Sequence, residues 1–325
     1  MRVLITGATG FIGSHLAEKL HQKGYTLRCL VRKTSNLTAL SGVPVEYIYG
    51  DLFTEAVLKD AVKDVEYIYH VAGITKARTK EEYFRGNELA TKNLLEAVQA
   101  VQPRLKRFVH VSSQAAVGPS VNGSIDETTP YHPITTYGIS KMEAERDCRR
   151  VMDKIPITIV RPPAVYGPRD KDIYQFFNTM SKGLQPMIGF NRKDVSLIYV
   201  KDLVEGIVLA GESEKSVGQV YFISSEKFYD WREVGDITAA ILGKKVVRIP
   251  IPELLVFFVA AISELYSTIS KKAVLINWEK AKDIVQDSWT CWIDKAKRDL
   301  GFKEAYTLES GITETVRWYR ENGWL

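Results

Sequence analysis

Cysteine is scarce in this chain and nothing pairs it. Cys29, Cys148 and Cys291 lie far apart, are odd in number and include no CxxC pair. That excludes a disulfide framework, suits a reducing compartment and makes a cytoplasmic location the expectation. Histidine is equally thin: the five residues show no ligand spacing, since His15 and His21 do not share a helical face and His70, His110 and His132 are far apart. No metal site is expected. Long apolar runs are missing too. The longest, from Leu254 to Ile262, is nine residues, against the roughly 20 needed to span a bilayer. Met1-Arg2 leads straight into Val3-Leu4-Ile5, so a targeting segment is not expected. Neither sign of charge dominates, with 44 Lys+Arg against 39 Asp+Glu. The cations are scattered among acids, which argues against a nucleic-acid partner. Internal repeats and low-complexity tracts are also lacking.

What remains is a 325-residue globular composition, 45% hydrophobic, long enough for one large and one smaller domain. Short apolar runs at 3–5, 27–31, 45–49, 67–71, 107–111 and 157–160 alternate with helical patterns at 12–22, 55–62, 87–101 and 141–152. This rhythm predicts an α/β fold, a doubly wound parallel sheet. After Arg161, Pro162, Pro163, Gly167 and Pro168 break the pattern. Residues 1–165 are expected to form a dinucleotide-binding Rossmann domain, with a return to the sheet at about 195–225. Residues 166–194 and 226–325 would make a smaller, mostly helical substrate lobe.

Residues 6–13 read TGATGFIG, following a strand and opening a helix. Gly7 permits a tight turn, Gly10 lets the backbone approach a pyrophosphate, and Gly13 lets the helix pack on the sheet. Thr9, Phe11 and Ile12 complete the candidate cradle, whose helix N-terminus offers N–H groups to an anion. A glycine-rich turn without a ligand is the alternative, and the strand–turn–helix context argues against it. The second strand ends in Arg32-Lys33 rather than in an acid that would bind a ribose 2′-hydroxyl. Two cations there suit a 2′-phosphate, so NADP is expected over NAD; solvated surface charge is the bland alternative.

Tyr137 and Lys141 stand four residues apart at a helix entry, on one helical face. A phenol near its usual pKa of ~10 is a poor base, and a neighbouring ammonium stabilises its phenolate. The pair also occurs by chance on helix surfaces, and its weight here comes from lying downstream of the glycine turn. Ser112-Ser113 closes the fifth strand, at the edge where open α/β sheets bind ligands. Ser112 is expected to form the turn and Ser113 to contact a reacting oxygen.

Together, TGATGFIG, Ser113, Tyr137 with Lys141, and the run RPPAVYGP from Arg161 to Pro168 resemble an extended short-chain dehydrogenase/reductase. That is the epimerase/dehydratase group, which includes sugar-nucleotide epimerases, 3β-hydroxysteroid dehydrogenases and dihydroflavonol reductases. The resemblance covers nearly the whole chain. It implies that Tyr137 donates or accepts the proton, Lys141 holds the nicotinamide ribose and Ser113 orients the substrate oxygen. It further implies that Asp51 and Leu52 border the adenine. His70, Val71, Ala72 and Gly73 would line the cofactor groove, joined by Pro162 and Ala164. Asn87 matches an Asn that opens a helix in the group, and reads equally well as an N-cap. A homodimer through the helices near Asn87 and Tyr137 is implied too.

Departures from the group narrow the chemistry. Gln114 and Ala115 replace the acidic pair of the dehydratases, which argues against elimination. Ala164 and Val195 stand where epimerases place an Asn and an Arg on the substrate diphosphate, although Arg192 and Lys193 lie close enough to compensate. Residues 249–269 are apolar beyond the needs of one packed face. Core packing, a substrate wall and peripheral membrane contact aided by Lys271-Lys272 are the three readings. Trp278, Trp289, Trp292, Trp318 and Trp324 are expected to pack the same lobe. The expected function is hydride transfer to or from a secondary alcohol or ketone of an apolar small molecule. A sugar-nucleotide epimerase is the alternative, and a cofactor-binding scaffold without turnover a more distant third.

Overall fold

The computed structural model describes residues 1–102, 104–121, 123–270 and 277–325, the side chains of 265–270 excepted. Lys271 and Lys272, and the side chains of 265–269 from the apolar stretch, lie outside the described residues.

The chain opens with β1 (Arg2–Thr6), α1 (Phe11–Gln22), β2 (Thr26–Val31), β3 (Val45–Tyr49), α2 (Glu55–Val62) and β4 (Tyr67–His70). There follow α3 (Lys80–Phe84), a π-helical turn (Arg85–Leu89), α4 (Ala90–Val101), β5 (Arg107–Val111), α5 (Thr136–Arg150) and β6 (Ile157–Arg161). Next come β7 (Ala164–Tyr166), α6 (Tyr174–Ser181), β8 (Leu184–Ile188), β9 (Asp194–Tyr199), α7 (Val200–Glu212), β10 (Val220–Phe222), β11 (Phe228–Asp230) and α8 (Trp231–Leu242). The chain closes with β12 (Val247–Ile251), α9 (Glu253–Ser270), α10 (Trp278–Ile284), β13 (Ser288–Trp289), α11 (Asp294–Leu300) and α12 (Leu308–Glu321).

Seven parallel strands form the main sheet in the order β10-β6-β5-β4-β1-β2-β3, the doubly wound arrangement expected from the sequence. Its strands, the edge strand β3 excepted, are buried on both faces, and their period of two divides the core. Val3 and Ile5 join the cluster that holds Leu16 and Leu20 of α1 and Leu203 and Ile207 of α7. Leu4 between them joins Leu58 of α2 and Leu94 and Val98 of α4 on the opposite face.

The return to this sheet is made by β10 alone, with Val220 registered on Ile159. The segment near 197, expected to return with it, lies elsewhere: β9 pairs with β7, β11 and β13 in a separate sheet. Pro162 and Pro163 have no N–H for a ladder, so the chain leaves the main sheet after Arg161. The strand that follows, β7, then gives β9 its partner. A third, two-stranded ribbon joins β8 to β12 in parallel.

Trp324 stacks on Tyr319 and Trp318 meets both rings edge-on, packing the lobe as expected. Trp289 packs against the same core, whereas Trp278 rests on Phe257 and Trp292 on Phe228, both exposed on one side. No helix among the described residues is long and apolar enough to cross a membrane.

Candidate active site

The glycine turn is as tight as its spacing demands. Gly7 adopts φ +75°, and a Cβ there would lie 2.6 Å from the Ala72 backbone nitrogen. A Cβ on Gly13 would sit 2.1 Å from the Gly7 carbonyl oxygen. Only glycine lets the turn, the first helix and the β4 exit come together this closely. Gly10 begins α1 with no side-chain cap, so the first N–H groups of the helix stay available to an anion. This backbone cradle fits a dinucleotide pyrophosphate.

Beside it opens a cavity of about 660 Å³. Of the residues singled out from the sequence, Phe11, Ile12, Val71, Gly73, Ser113, Tyr137, Lys141, Pro162 and Ala164 line it. Gly7, Thr9, Gly10, Gly13 and Ala72 form the turn and its support rather than the wall. Arg32 and Lys33 are exposed at the end of β2, and Asp51 and Leu52 are half-buried after β3. Asp51 accepts from the Phe53 N–H at 2.9 Å and the Thr54 hydroxyl at 3.0 Å, which hold its carboxyl below the usual range.

Helix α5 brings the reactive groups together. Thr135 caps it, its hydroxyl accepting from the Gly138 N–H at 3.1 Å. Tyr137, Lys141 and Glu145 then recur every four residues along one face. Burial pushes the Tyr137 phenol up to about 12, opposed by a hydrogen bond with Ser113. Burial likewise lowers the Lys141 ammonium to about 8, opposed by the charge of Glu145. Lys141 Nζ donates to the Val111 carbonyl at 3.0 Å, at the end of β5. The phenol is therefore protonated at neutral pH, and Lys141, one helical turn further along α5, carries a charge that can be lost a little above neutrality.

Several expected roles change. Ser112 forms no turn; its hydroxyl donates to Glu145 at 2.6 Å inside the protein. Glu145 also accepts from the half-buried Tyr131 at 2.6 Å and from the buried Arg161 at 2.6 Å and 3.0 Å. Asn87 is not an N-cap but sits buried in the π-helical turn. Its amide accepts from the Ile74 N–H at 2.8 Å, and donates to the Ile74 carbonyl at 3.1 Å and the Ser140 hydroxyl at 2.9 Å. It thereby ties the β4 exit to α5. His70 lies beneath the groove rather than along it, held between the hydroxyls of Thr6 at 2.7 Å and Thr91 at 2.9 Å. The stretch 249–269 supplies no wall to the cavity among the described residues; β8 and α10 do, through residues such as Pro186, Met187 and Ile284.

A family model described as the NAD dependent epimerase/dehydratase family matches residues 3–224. The chain belongs to this family. It is 32% identical to a ceramide reductase of Caulobacter vibrioides over 99% of this chain and 96% of that protein. A 3 beta-hydroxysteroid dehydrogenase/Delta 5→4-isomerase of Mycobacterium tuberculosis is 28% identical over 98% of this chain and 90% of that protein. Among solved structures, a UDP-glucuronic acid 4-epimerase of Bacillus cereus in complex with NAD superimposes with a TM-score of 0.80. Its identity is 22%, covering 100% of both chains, a likeness of fold. This member of the epimerase/dehydratase family is thus an enzyme of nicotinamide chemistry, a dehydrogenase, reductase or epimerase.

Sequence reasoning missed the Glu145–Arg161 pair within this family frame. The repeat Tyr137, Lys141, Glu145 was the available signal, since a third polar residue on that face needed a buried partner.

Glu145→Gln should act on stability and on titration. It leaves the Arg161 guanidinium buried without its counter-ion, at a cost of about 3 kcal/mol or more by urea denaturation. It also removes the negative charge that raises the Lys141 pKa. An activity that depends on the Lys141 cation should fall in the wild type as pH rises through about 8. In the variant that fall should begin at lower pH.

Proposed function

We propose that this enzyme moves hydride between NADP(H) and a secondary alcohol or ketone carbon of a small, largely apolar molecule, with Tyr137 as acid and base. The observation that carries this reading is the composition of the cavity around Tyr137. Phe176, Pro186, Met187, Ile188, Trp231 and Trp289 supply its apolar walls. At both positions where a diphosphate anchor would stand, Ala164 and Val195 face it instead. The nearby cations are committed elsewhere. Arg192 pairs with Asp194 at 2.8 Å, and Lys193 with Glu253 and Asp287, each at 3.2 Å. A diphosphate would meet few free partners here, which disfavours the sugar-nucleotide reading. The names of the ceramide reductase and the hydroxysteroid dehydrogenase point to apolar substrates, in keeping with this proposal.

On this reading residues 1–165 with β10 hold the cofactor, and 166–194 with 226–325 shape the substrate lobe. Gly7, Thr9, Gly10, Phe11, Ile12 and Gly13 would receive the pyrophosphate, Asp51 and Leu52 the adenine, and Val71, Ala72, Gly73, Pro162 and Ala164 the nicotinamide half. When bound, the nicotinamide supplies or accepts the hydride. Ser113 orients the substrate oxygen, Tyr137 gives or takes its proton, and Lys141 stabilises the phenolate and holds the ribose. Arg32 and Lys33 are exposed without an anionic partner among the described residues, and would meet a 2′-phosphate, with NAD as the alternative cofactor. A homodimer through α4 and α5, in the cytoplasm, completes the proposal.

Two assays test it. With added NADPH and a long-chain or steroid ketone, nicotinamide absorbance should fall in step with product. Conversion of a UDP-hexose to its epimer with no added cofactor would overturn the proposal. Arg32→Asp should raise the KM for NADPH by about tenfold or more, the worth of one charge-assisted hydrogen bond, and leave NADH use nearly unchanged. Equal losses for both cofactors would count against the NADP assignment.

A further inference from the structure

The chemistry leaves unused a broad apolar face formed by α9 and the β8–β12 ribbon. Helix α9 is apolar on two sides. Val256 and Ala260 turn inward and cluster with Ala281 of α10. Leu254, Leu255, Phe258, Val259 and Ile262 recur at i, i+1, i+4, i+5 and i+8, the spacing of a single helical face, and all are exposed. Leu254 is 84% and Phe258 62% accessible. The ribbon extends the face: Val247, 65% accessible, is in register with the exposed Leu184. Scattered exposed apolar residues are ordinary, whereas a contiguous set marks an interaction surface.

Charge on this face is one-sided. Lys182, Lys244 and Lys245 are exposed where the ribbon starts, close together because the Val247 N–H donates to the Gly183 carbonyl at 2.9 Å. None has an anionic partner among the described residues. The neighbouring acids are engaged: Glu253 with Lys193 at 3.2 Å, Glu264 with the Trp278 N–H at 3.0 Å, and Asp236 with Arg248. The unpaired cations therefore stand at the end of the ribbon away from α9, and the ribbon between them spans about 13 Å at ~3.3 Å per residue.

We propose that this face docks on the surface of a bilayer containing anionic lipid. The exposed side chains of α9 and the ribbon enter the boundary between headgroups and acyl chains, and the three lysines meet lipid phosphates. A second copy of this chain would bring lysines, not anions, to that fringe; an anionic leaflet brings the complementary charge. The face also backs directly onto the cavity. Met187 and Ile188 of β8 line the cavity while β12 beside them is exposed, and α9 packs on α10, whose Ile284 lines it too. Docking places the cavity wall next to a reservoir of apolar molecules. The docking itself stands apart from the proposed reaction, and its test needs no substrate.

The test is co-sedimentation of the full-length protein with vesicles of phosphatidylcholine alone and of phosphatidylcholine with phosphatidylglycerol. Wild type should bind the anionic vesicles and release them at high salt. Lys244→Glu/Lys245→Glu and Phe258→Ser/Ile262→Ser should each lower partitioning by about tenfold or more, with circular dichroism and Tm unchanged. Three outcomes would overturn the proposal: no binding to anionic vesicles, binding that both variants retain, or a solution dimer that Phe258→Ser/Ile262→Ser splits into monomers.

Discussion

The buried ion pair between Glu145 and Arg161 is the interaction on which the geometry of the site depends. Glu145 belongs to α5, the helix that carries Tyr137 and Lys141, while Arg161 ends β6 and Ser112 follows β5. By accepting from Arg161, Ser112 and Tyr131 together, one carboxylate fixes the helix against the carboxyl edge of the sheet. Burial pushes that carboxyl up, yet Arg161 and the two hydroxyls hold it below its usual range and keep it charged. Such a group is costly to bury and is tolerated when its lone pairs are satisfied. The guanidinium is enclosed on its other sides by the rings of Tyr131 and Phe222, at 5.1 Å and 5.5 Å. Ser113 therefore faces Tyr137 because its neighbour Ser112 is tied to the same helix. The charge of Glu145 in turn keeps Lys141 from losing its proton more readily.

Much of the fold was legible because its signals are local. Strands buried on both faces read as short apolar runs, and the glycine turn announces itself within eight residues. The helix boundaries and β9 were less legible. The helical pattern was read from Asn87, yet helix runs from Lys80 through a π-helical turn, where the extra residue shifts the apolar period. The placement of β9 was decided by competition for a partner, which no local pattern records. Within the site, Tyr137, Lys141 and Ser113 were visible as motif residues. The contacts of Ser112, Asn87 and His70 are not legible locally, because their hydrogen-bond partners lie between 13 and 64 residues away.

On the proposed reading, substrate choice rests on elements that the motifs do not mention. The wall of the cavity is built by β8, α6 and α10, from the part of the chain where the α/β rhythm has ended. Lys193, which looked free to bind an anion, is instead spent within the protein on Glu253, Asp287 and the Val285 carbonyl. On the proposed assignment, catalytic and cofactor residues sit at the ends of main-sheet strands, on the glycine turn and on α5. Selectivity is left to short elements that can vary without moving them.

In the proposed reaction Tyr137 transfers the proton and the cation of Lys141 makes it able to. Reductive turnover compared among the wild type, Tyr137→Phe and Lys141→Met, with folding checked by circular dichroism, decides this. Loss of the phenol should cost about a hundredfold or more in kcat, and loss of the cation a comparable factor, in proteins that stay folded. A Tyr137→Phe enzyme that turns over like the wild type would rule out the phenol as the acid and base.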